Sequence, residues 1–452
     1  MKHTDKTEIF ERMPVPKALA VMAVPTIISQ LITLVYNIAD TWFIAQTDNP
    51  YMVAASSLVL TVYLLVSAVA DLFAVGGGSL VVRLLGAKEE DEARKVASWS
   101  LSMSALSAVA FSALCLVFMN PLLRLLGASD QTIGYAREYL LFVVVIGGLP
   151  TMLGRTMSSM LRNIGYSREA GFGLSLGGML NVLLDPIIMF VIMPDGYQVM
   201  GAAIATMVSN VVSLVYFAIV YRRVRGNTIL ELPRKLAKIQ KKSVKSLFSV
   251  GIPAAVSFML YDLTNMVINA LSASHGDLEL AAMGIVLKVE RLPLNICIGI
   301  CLGMMPLIAY NFASGNRERM RKFFNAARLA GIAVSLVSLV MYRLWASQII
   351  RAFIQDEMTV VYGTEFLRVR CFSAIFMFLS FNMVHFMQAV DRGRISLWLA
   401  VIRQLCLNIP LLLIMNRLLG MTGIVWTQTL ADVINVAVSY VIYFRVKRQA
   451  NL

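Results

Sequence analysis

Long apolar runs separated by short polar stretches make up most of the chain. Each run holds about 20 or more mostly apolar residues, enough to cross a hydrocarbon core roughly 30 Å thick. Such a segment must be helical, because a helix satisfies its own backbone hydrogen bonds in lipid. The pattern predicts twelve membrane-spanning helices, at residues 17–45, 52–82, 93–119, 134–160, 168–193, 197–221, 245–271, 280–312, 322–345, 361–388, 395–416 and 421–444.

Composition supports this interpretation. Of the 452 residues, 58% are hydrophobic and only 15% are charged, whereas soluble domains carry about 25% charged residues. The first run is too long for the core of a signal peptide, and no small-residue cleavage site follows it, so we expect it to be retained. The sequence therefore predicts an all-α polytopic membrane protein.

The positions of the positive charges predict the orientation. The net charge is +14, but most lysines and arginines lie in the two tails and in the loops on one side of the membrane. The alternate loops hold only Arg124, Arg351 and Arg417. Positive loops are typical of the cytoplasmic side. We expect both termini and the basic stretch 222–245 in the cytoplasm, and no nucleic-acid partner.

Weak internal similarity predicts two six-helix halves. Pro25 and Pro253 lie 228 residues apart, and the same offset relates Asn37 to Asn265. Because six crossings return the chain to its starting side, such a duplication would be a parallel repeat, and two bundles around a midplane site favour a transporter. The expected divisions are a tail at 1–16, an N-lobe at 17–221, a cytoplasmic linker at 222–244, a C-lobe at 245–444 and a tail at 445–452.

Four polar side chains are expected at one depth of the first bundle. Asp40, Asp185 and Thr206 fall in the outer half of spans one, five and six, and Asn181 lies one helical turn from Asp185. A carboxylate inside a membrane helix is costly and usually faces a cavity or a partner. Desolvation and like charge both disfavour ionisation of two neighbouring acids. This set would hold a proton near neutral pH or bind a small cation such as sodium.

A structural role for the same residues stays open. Asp40 lies near the outer end of its span and would cap it, and Asp185 would be held by a neighbouring asparagine.

A second charged set is predicted in the second bundle. Asp262 in span seven and Lys288, Glu290 and Arg291 in span eight share the outer half of the membrane. Opposite charges at one level most simply form an ion pair that fixes two helices together. A role in handling substrate or protons is the alternative.

Three further features of the spans also lead to expectations. Asp71 and Arg155, in spans two and four, would form a gate or a static pair. Arg403 is expected to reach the cytoplasmic interface with its long side chain. The three glycines in 75–79, "VGGGS", predict close helix packing or a hinge.

Several stretches resemble the multidrug and toxic compound extrusion (MATE) family over essentially the whole chain. The stretches are "AVPTIISQLITLVYNIADTWFIA" in span one, "LRNIGYSREA" before span five, "NVLLDPIIMF" within it, "GAAIATMVSN" in span six and "PLIAYNFASGNRERM" after span eight.

The resemblance implies twelve helices in two pseudo-symmetric six-helix lobes, arranged as a V around a cleft, in a bacterial cytoplasmic membrane. In the prokaryotic branch with a first-lobe cation site, the family's residues fall here on Asp40, Asn181, Asp185 and Thr206. Another branch uses an acid in helix seven and one in helix ten. Here Asp262 is displaced by one position and the stretch "FSAIFMFLSFNMVHFMQAV" of span ten has no acid, so that second-lobe site is not expected. Firmicute-type multidrug exporters are the most similar group.

The expected function is secondary antiport that exports cationic or amphipathic drugs in exchange for protons or sodium by alternating access. Apart from this coupling ion no cofactor or metal is expected, and we expect a monomer. A flippase for a lipid-linked sugar or another lipid is the alternative. A membrane-embedded prenyl transferase would need an acidic DDxxD run, which the sequence lacks. Residues that could line the cleft are Tyr36, Asn37, Tyr261 and Asn265.

Overall fold

The computed structural model describes residues 4–231 and 237–450, and over these ranges the chain folds into helices without a β-strand. Residues 232–236 of the expected linker, and residues 1–3 and 451–452 of the expected tails, lie outside the described residues. The helices are α1 Thr4–Glu11, α2 Val15–Ala45, α3 Pro50–Gly86, α4 Glu90–Val117, α5 Met119–Leu125, α6 Ile133–Leu140, α7 Gly148–Asn163, α8 Ser167–Ile187, α9 Gln198–Val224, α10 Lys241–Ala273, α11 Asp277–Ala313, α12 Arg317–Arg351, α13 Glu357–Arg370, α14 Ser373–Ala389, α15 Gly393–Val401 and α16 Ile409–Ala450. Three π-helical segments, Leu141–Ile146, Ile188–Ile192 and Ile402–Asn408, continue α6, α8 and α15.

The described helices account for the twelve expected spans. Nine are long and apolar enough to cross a membrane, and the bent pairs α6–α7 (42°) and α13–α14 (50°) bring the number to 11. One of the nine, Gly393–Lys447, has 55 residues, about 80 Å of helix and too much for one crossing. Gly420 interrupts it with φ 58° and ψ −137°, a conformation that glycine adopts easily. Division at this glycine gives twelve spans.

The described residues form two compact units. The first unit comprises the described parts of Met1–Met13 and Val24–Ala255, and the second comprises Pro14–Ala23 and the described part of Val256–Leu452. Each of α2 and α10 therefore contributes to both units. The change of unit falls within three residues of Pro25 in α2 and of Pro253 in α10, the positions that the sequence repeat relates.

Small residues mediate close helix packing in the first unit. On α3, Gly76, Gly77 and Gly78 are buried. A Cβ atom on Gly76 would lie 2.5 Å from the carbonyl oxygen of Leu247 on α10. Many large apolar side chains instead face outwards; Leu183, in the span 168–193, is 63% exposed, as expected for surfaces that contact lipid rather than water. Close packing at the "VGGGS" stretch is thus confirmed.

Candidate cation site

Adjacent helices of the first unit hold Asn181, Asp185 and Thr206 together. Asn181 and Asp185 lie one turn apart on α8, so their side chains share a face. The Asn181 Nδ2 atom donates to Asp185 Oδ1 at 3.2 Å and to Thr206 Oγ1 on α9, also at 3.2 Å. One amide group thus joins a carboxylate and a hydroxyl from two helices, and the structure brings these three predicted residues into contact.

Asp40, on α2, is the fourth member of the set. Its carboxyl group interacts electrostatically with that of Asp185. In the described part of the chain neither acid takes part in an ion pair. The four residues predicted from the sequence therefore share one neighbourhood of the first unit.

Three oxygen atoms of this neighbourhood have unused hydrogen-bonding capacity. Asp185 is fully buried and Asn181 is 2% exposed. The atoms Asp40 Oδ1, Asn181 Oδ1 and Asp185 Oδ2 are buried and have no hydrogen-bond partner among the described residues. A buried acceptor without a donor is costly. Two carboxylate oxygens and one amide oxygen are the ligand types that a hard cation prefers, and a proton on either acid would also supply the missing donor.

Sequence reasoning missed Tyr139, a buried residue of α6. Tyr139 interacts electrostatically with both Asp40 and Asp185 and also with Tyr36 and Tyr63. A buried tyrosine hydroxyl normally has a polar partner, and this tyrosine falls near the start of span four, at the depth of the acids. This depth could have identified Tyr139 as a candidate from the sequence.

Arg155 and Asp71 form an ion pair between α7 and α3. Arg155 Nη2 donates to Asp71 Oδ1 at 3.0 Å and to Oδ2 at 2.9 Å, and Nε donates to Oδ1 at 3.3 Å. The pairing expected from the sequence is present. Its geometry is compatible with either alternative, a static contact or a gate.

Most of the charged residues predicted to lie together in the second unit form ion pairs. Asp262 on α10 lies 3.7 Å from Arg291 on α11, as expected. Glu290 instead pairs with Arg370 of α13, through Nε to Oε1 at 2.9 Å and Nη2 to Oε2 at 2.8 Å. Lys288 is exposed and forms no ion pair among the described residues. The four residues are therefore not a single cluster, because Glu290 turns towards a third helix.

The expectation for Arg403 is wrong. Its side chain is 6% exposed and does not extend to an interface. Arg403 Nε donates to Asp432 Oδ1 at 2.6 Å, Nη2 donates to Oδ2 at 3.3 Å, and Gln428 Nε2 also donates to Oδ2 at 2.7 Å. Asp432 is fully buried on α16, so its charge outweighs the preference of the arginine for water.

The residues suggested for the cleft differ in surroundings. Tyr36 hydrogen-bonds Tyr63 within the first unit, and Asn37 is exposed. Tyr261 packs edge-on against Phe381, with ring centroids 6.1 Å apart. Asn265 lies beside Tyr261 and hydrogen-bonds it. Their roles in substrate binding stay predictions.

One known family model matches the chain twice. A family model described as MatE matches residues 25–187 and 253–414. The two matches begin at the two prolines that the sequence repeat relates, 228 residues apart. The parallel internal repeat expected from the sequence is confirmed.

Two similar relatives come from Firmicutes, the group expected from the sequence. They are the "Multidrug export protein MepA" of Staphylococcus aureus strain MRSA252 and that of Staphylococcus haemolyticus strain JCSC1435. Each is 30% identical over 425 residues, covering 94% of this chain and 92% of the relative.

Solved structures share the fold. One is a "Crystal structure of MATE in complex with MaD3S", with a TM-score of 0.91, 21% identity and coverage of 98% of this chain and 99% of that chain. Another is an "Outward-facing conformation of a multidrug resistance MATE family transporter of the MOP superfamily", with a TM-score of 0.89, 22% identity and coverage of 97% and 98%. The expected polytopic helical fold is confirmed.

Proposed function

Because this chain belongs to the MatE family of multi-pass membrane transporters, we propose that it is a secondary antiporter that exports cationic or amphipathic drugs. Protons or sodium ions would enter in exchange. The relatives are named for multidrug export, and we extend that activity to this chain. The protein would lie in the bacterial cytoplasmic membrane with both termini inside, as the distribution of basic loops suggests.

The observation that supports ion coupling is the group of unpartnered oxygens around Asp40 and Asp185. Asp185 is buried and Asp40 half-buried, and two such acids without an ion pair among the described residues carry a high desolvation cost when both are ionised. A proton or a sodium ion would remove that cost, and Asn181 and Thr206 would contribute uncharged oxygens to a metal ion. The site would therefore gain and lose one small cation during each transport cycle.

Cation binding would also change the packing of α2. Asp40 is the member of the site on this helix, whereas Asn181 and Asp185 are on α8. An ion shared by Asp40 and Asp185 would draw α2 towards α8, and release of the ion would restore their mutual repulsion. This differential interaction is what a ligand needs in order to shift a conformational equilibrium. We propose that the resulting helix shift favours drug release outside the cell.

The test is drug efflux by purified protein in liposomes. A fluorescent organic cation would be loaded, and its efflux measured under an imposed proton gradient and, separately, a sodium gradient. We expect one gradient to accelerate efflux by wild type and by the exposed-site control Asp356→Asn, but not by Asp40→Asn. An Asp40→Asn variant that responds to both gradients like wild type would overturn the coupling assignment.

A labelled phospholipid in the same vesicles provides a second readout. Translocation of the lipid without movement of the organic cation would favour the flippase alternative.

A further inference from the structure

Polar side chains continue from Asp40 along the interior of the first unit. Tyr36 lies one turn before Asp40 on α2, and the two interact electrostatically. Tyr36 also hydrogen-bonds Tyr63 on α3, and both tyrosines interact with Arg155. The cation site is therefore connected by a series of polar groups to the Asp71–Arg155 ion pair. We call this series the polar column.

The polar column runs along the membrane normal. On α3, Asp71 lies eight residues beyond Tyr63, which is about 12 Å of helix. Asp40 lies near the end of α2, close to the loop that leads into α3. The ion pair is consequently further from that loop than the cation site. In the orientation proposed above, the ion pair lies on the cytoplasmic side of the site.

A second arginine gives this part of the polar column an excess of positive charge. Arg162 lies on α7, two turns after Arg155, and is 9% exposed. It interacts electrostatically with both Asp71 and Arg155, and its Nε atom is buried without a hydrogen-bond partner. Two guanidinium groups, which stay protonated in proteins, thus interact with one carboxylate, although only Arg155 forms an ion pair with it. The three residues carry a net charge of +1.

A positive charge in this position opposes the passage of cations. Electrostatic interactions are stronger in the membrane interior than in water, because the effective dielectric constant is lower. A proton or sodium ion that leaves the site towards the cytoplasm would have to pass the guanidinium groups. The acids themselves attract cations, so without such a barrier the polar column would conduct ions in the absence of drug.

We infer that Asp71, Arg155 and Arg162 form an electrostatic barrier that prevents the coupling cation from leaking into the cytoplasm when no drug is exported. This inference depends on the proposed antiport function, and it assigns to the three residues the control of coupling. It differs from a static contact because the net charge of the three residues, rather than the presence of the ion pair, sets the leak.

Charge variants of the ion pair separate these two roles. Arg155→Gln lowers the net charge of the three residues to zero, Asp71→Asn raises it to +2, and the double variant keeps the wild-type value of +1 although the ion pair is gone. Arg155→Lys retains the charge with different geometry and serves as a second control. Each would be reconstituted into liposomes without drug, and proton or sodium entry measured with an ion-sensitive dye.

The expected order of ion leak follows the charge. Arg155→Gln should leak about tenfold to a hundredfold faster than wild type, equivalent to about 1.4–2.8 kcal/mol. The double variant and Arg155→Lys should resemble wild type, and Asp71→Asn should leak no faster. Adding Asp40→Asn to Arg155→Gln should reduce the leak, because the ions pass through the cation site.

Other results would overturn the inference. If the double variant leaks as much as Arg155→Gln, the intact ion pair and not the charge matters. If no variant leaks while wild type still shows gradient-driven drug efflux, the barrier is absent but the proposed function stands. If wild type shows no gradient-driven efflux, the proposed function itself fails.

Discussion

Asp40 and Asp185 of the first compact unit and the ion-paired acids of the second unit have opposite surroundings. In the second unit, Glu290 pairs with Arg370 and Asp432 pairs with Arg403. In the first unit, Asp40 and Asp185 interact electrostatically with each other, and neither forms an ion pair among the described residues. The same residue types in related halves of one chain therefore have different surroundings. The contrast indicates that a fixed partner makes a buried acid structural, whereas its absence leaves the acid available to a mobile cation.

The energetic consequences also differ. Removal of one member of a buried ion pair leaves an uncompensated charge and costs about 3–5 kcal/mol. Neutralising an acid that has no partner removes a desolvation cost instead. Substitutions in the second unit should therefore mainly affect stability, and those at the cation site should mainly affect transport.

The largest effect is expected for Arg403→Met. Among the described residues, this change leaves the fully buried Asp432 with Gln428 as its remaining hydrogen-bond partner, and it should lower stability by about 3–5 kcal/mol. Thermal unfolding in detergent, followed by size-exclusion chromatography, would measure the loss. The double variant Arg403→Met with Asp432→Leu should recover much of it, because no charge is left buried. A single variant as stable as wild type would show that the pair does not fix the helices.

A smaller change in free energy, with a clear change in function, is expected for Asp185→Asn. Gradient-driven efflux should fall at least about tenfold, which corresponds to roughly 1.4 kcal/mol. Thermal stability should stay near the wild-type value, because an amide replaces a carboxyl group that lacks a basic partner. Unfolding comparable to that of Arg403→Met would remove the proposed distinction between the units.

A more modest effect is expected for Tyr139→Phe. The hydroxyl group near Asp40 and Asp185 is lost while the ring still fills its buried position. One hydrogen bond is worth about 0.5–1.5 kcal/mol, so the ion concentration for half-maximal efflux should change several-fold. The matched control is Tyr135→Phe, one turn earlier on the same helix, which should leave ion dependence unchanged. Equal responses of the two variants would exclude Tyr139 from the site.

The smallest effect concerns an exposed acid that has hydrogen-bond partners. Asp356 caps α13, and its Oδ2 atom accepts from Thr359 Oγ1 at 2.7 Å and from Thr359 N at 2.8 Å. These hydrogen bonds lower the pKa of Asp356. Its contribution to stability is therefore present above its unfolded pKa, about 3.9, and is lost as the pH falls through the folded value. Asp356→Ala should lower the unfolding temperature by about 1 °C at neutral pH, with no difference in acid.

Local spacing made much of the fold and part of the site predictable. The span lengths follow from bilayer thickness, so the twelve spans could be read from apolar runs. Asn181 and Asp185 are four residues apart, and helix geometry alone brings them together. Asp40 and Thr206 could be added because span direction gives each residue an approximate depth.

Side-chain partners that depend on the rotation of a helix about its own axis could not be predicted from the sequence. Depth placed Glu290 near Asp262, but Glu290 faces Arg370 on α13. Arg403 looked interfacial because its approach to Asp432 depends on how α16 packs, which an apolar pattern does not specify. Tyr139 resembled ordinary core aromatics for the same reason.

Infrared difference spectroscopy of the purified protein tests the central contrast most directly. A protonated carboxyl group has its own carbonyl absorption, so exchange of a proton or sodium ion at the site would change that band. We expect the band to decrease when the pH is raised or sodium is added, in wild type and in the paired-acid control Asp262→Asn. The change should be lost in the Asp40→Asn, Asp185→Asn double variant. A full-sized change in that double variant would contradict the claim that Asp40 and Asp185 exchange the cation.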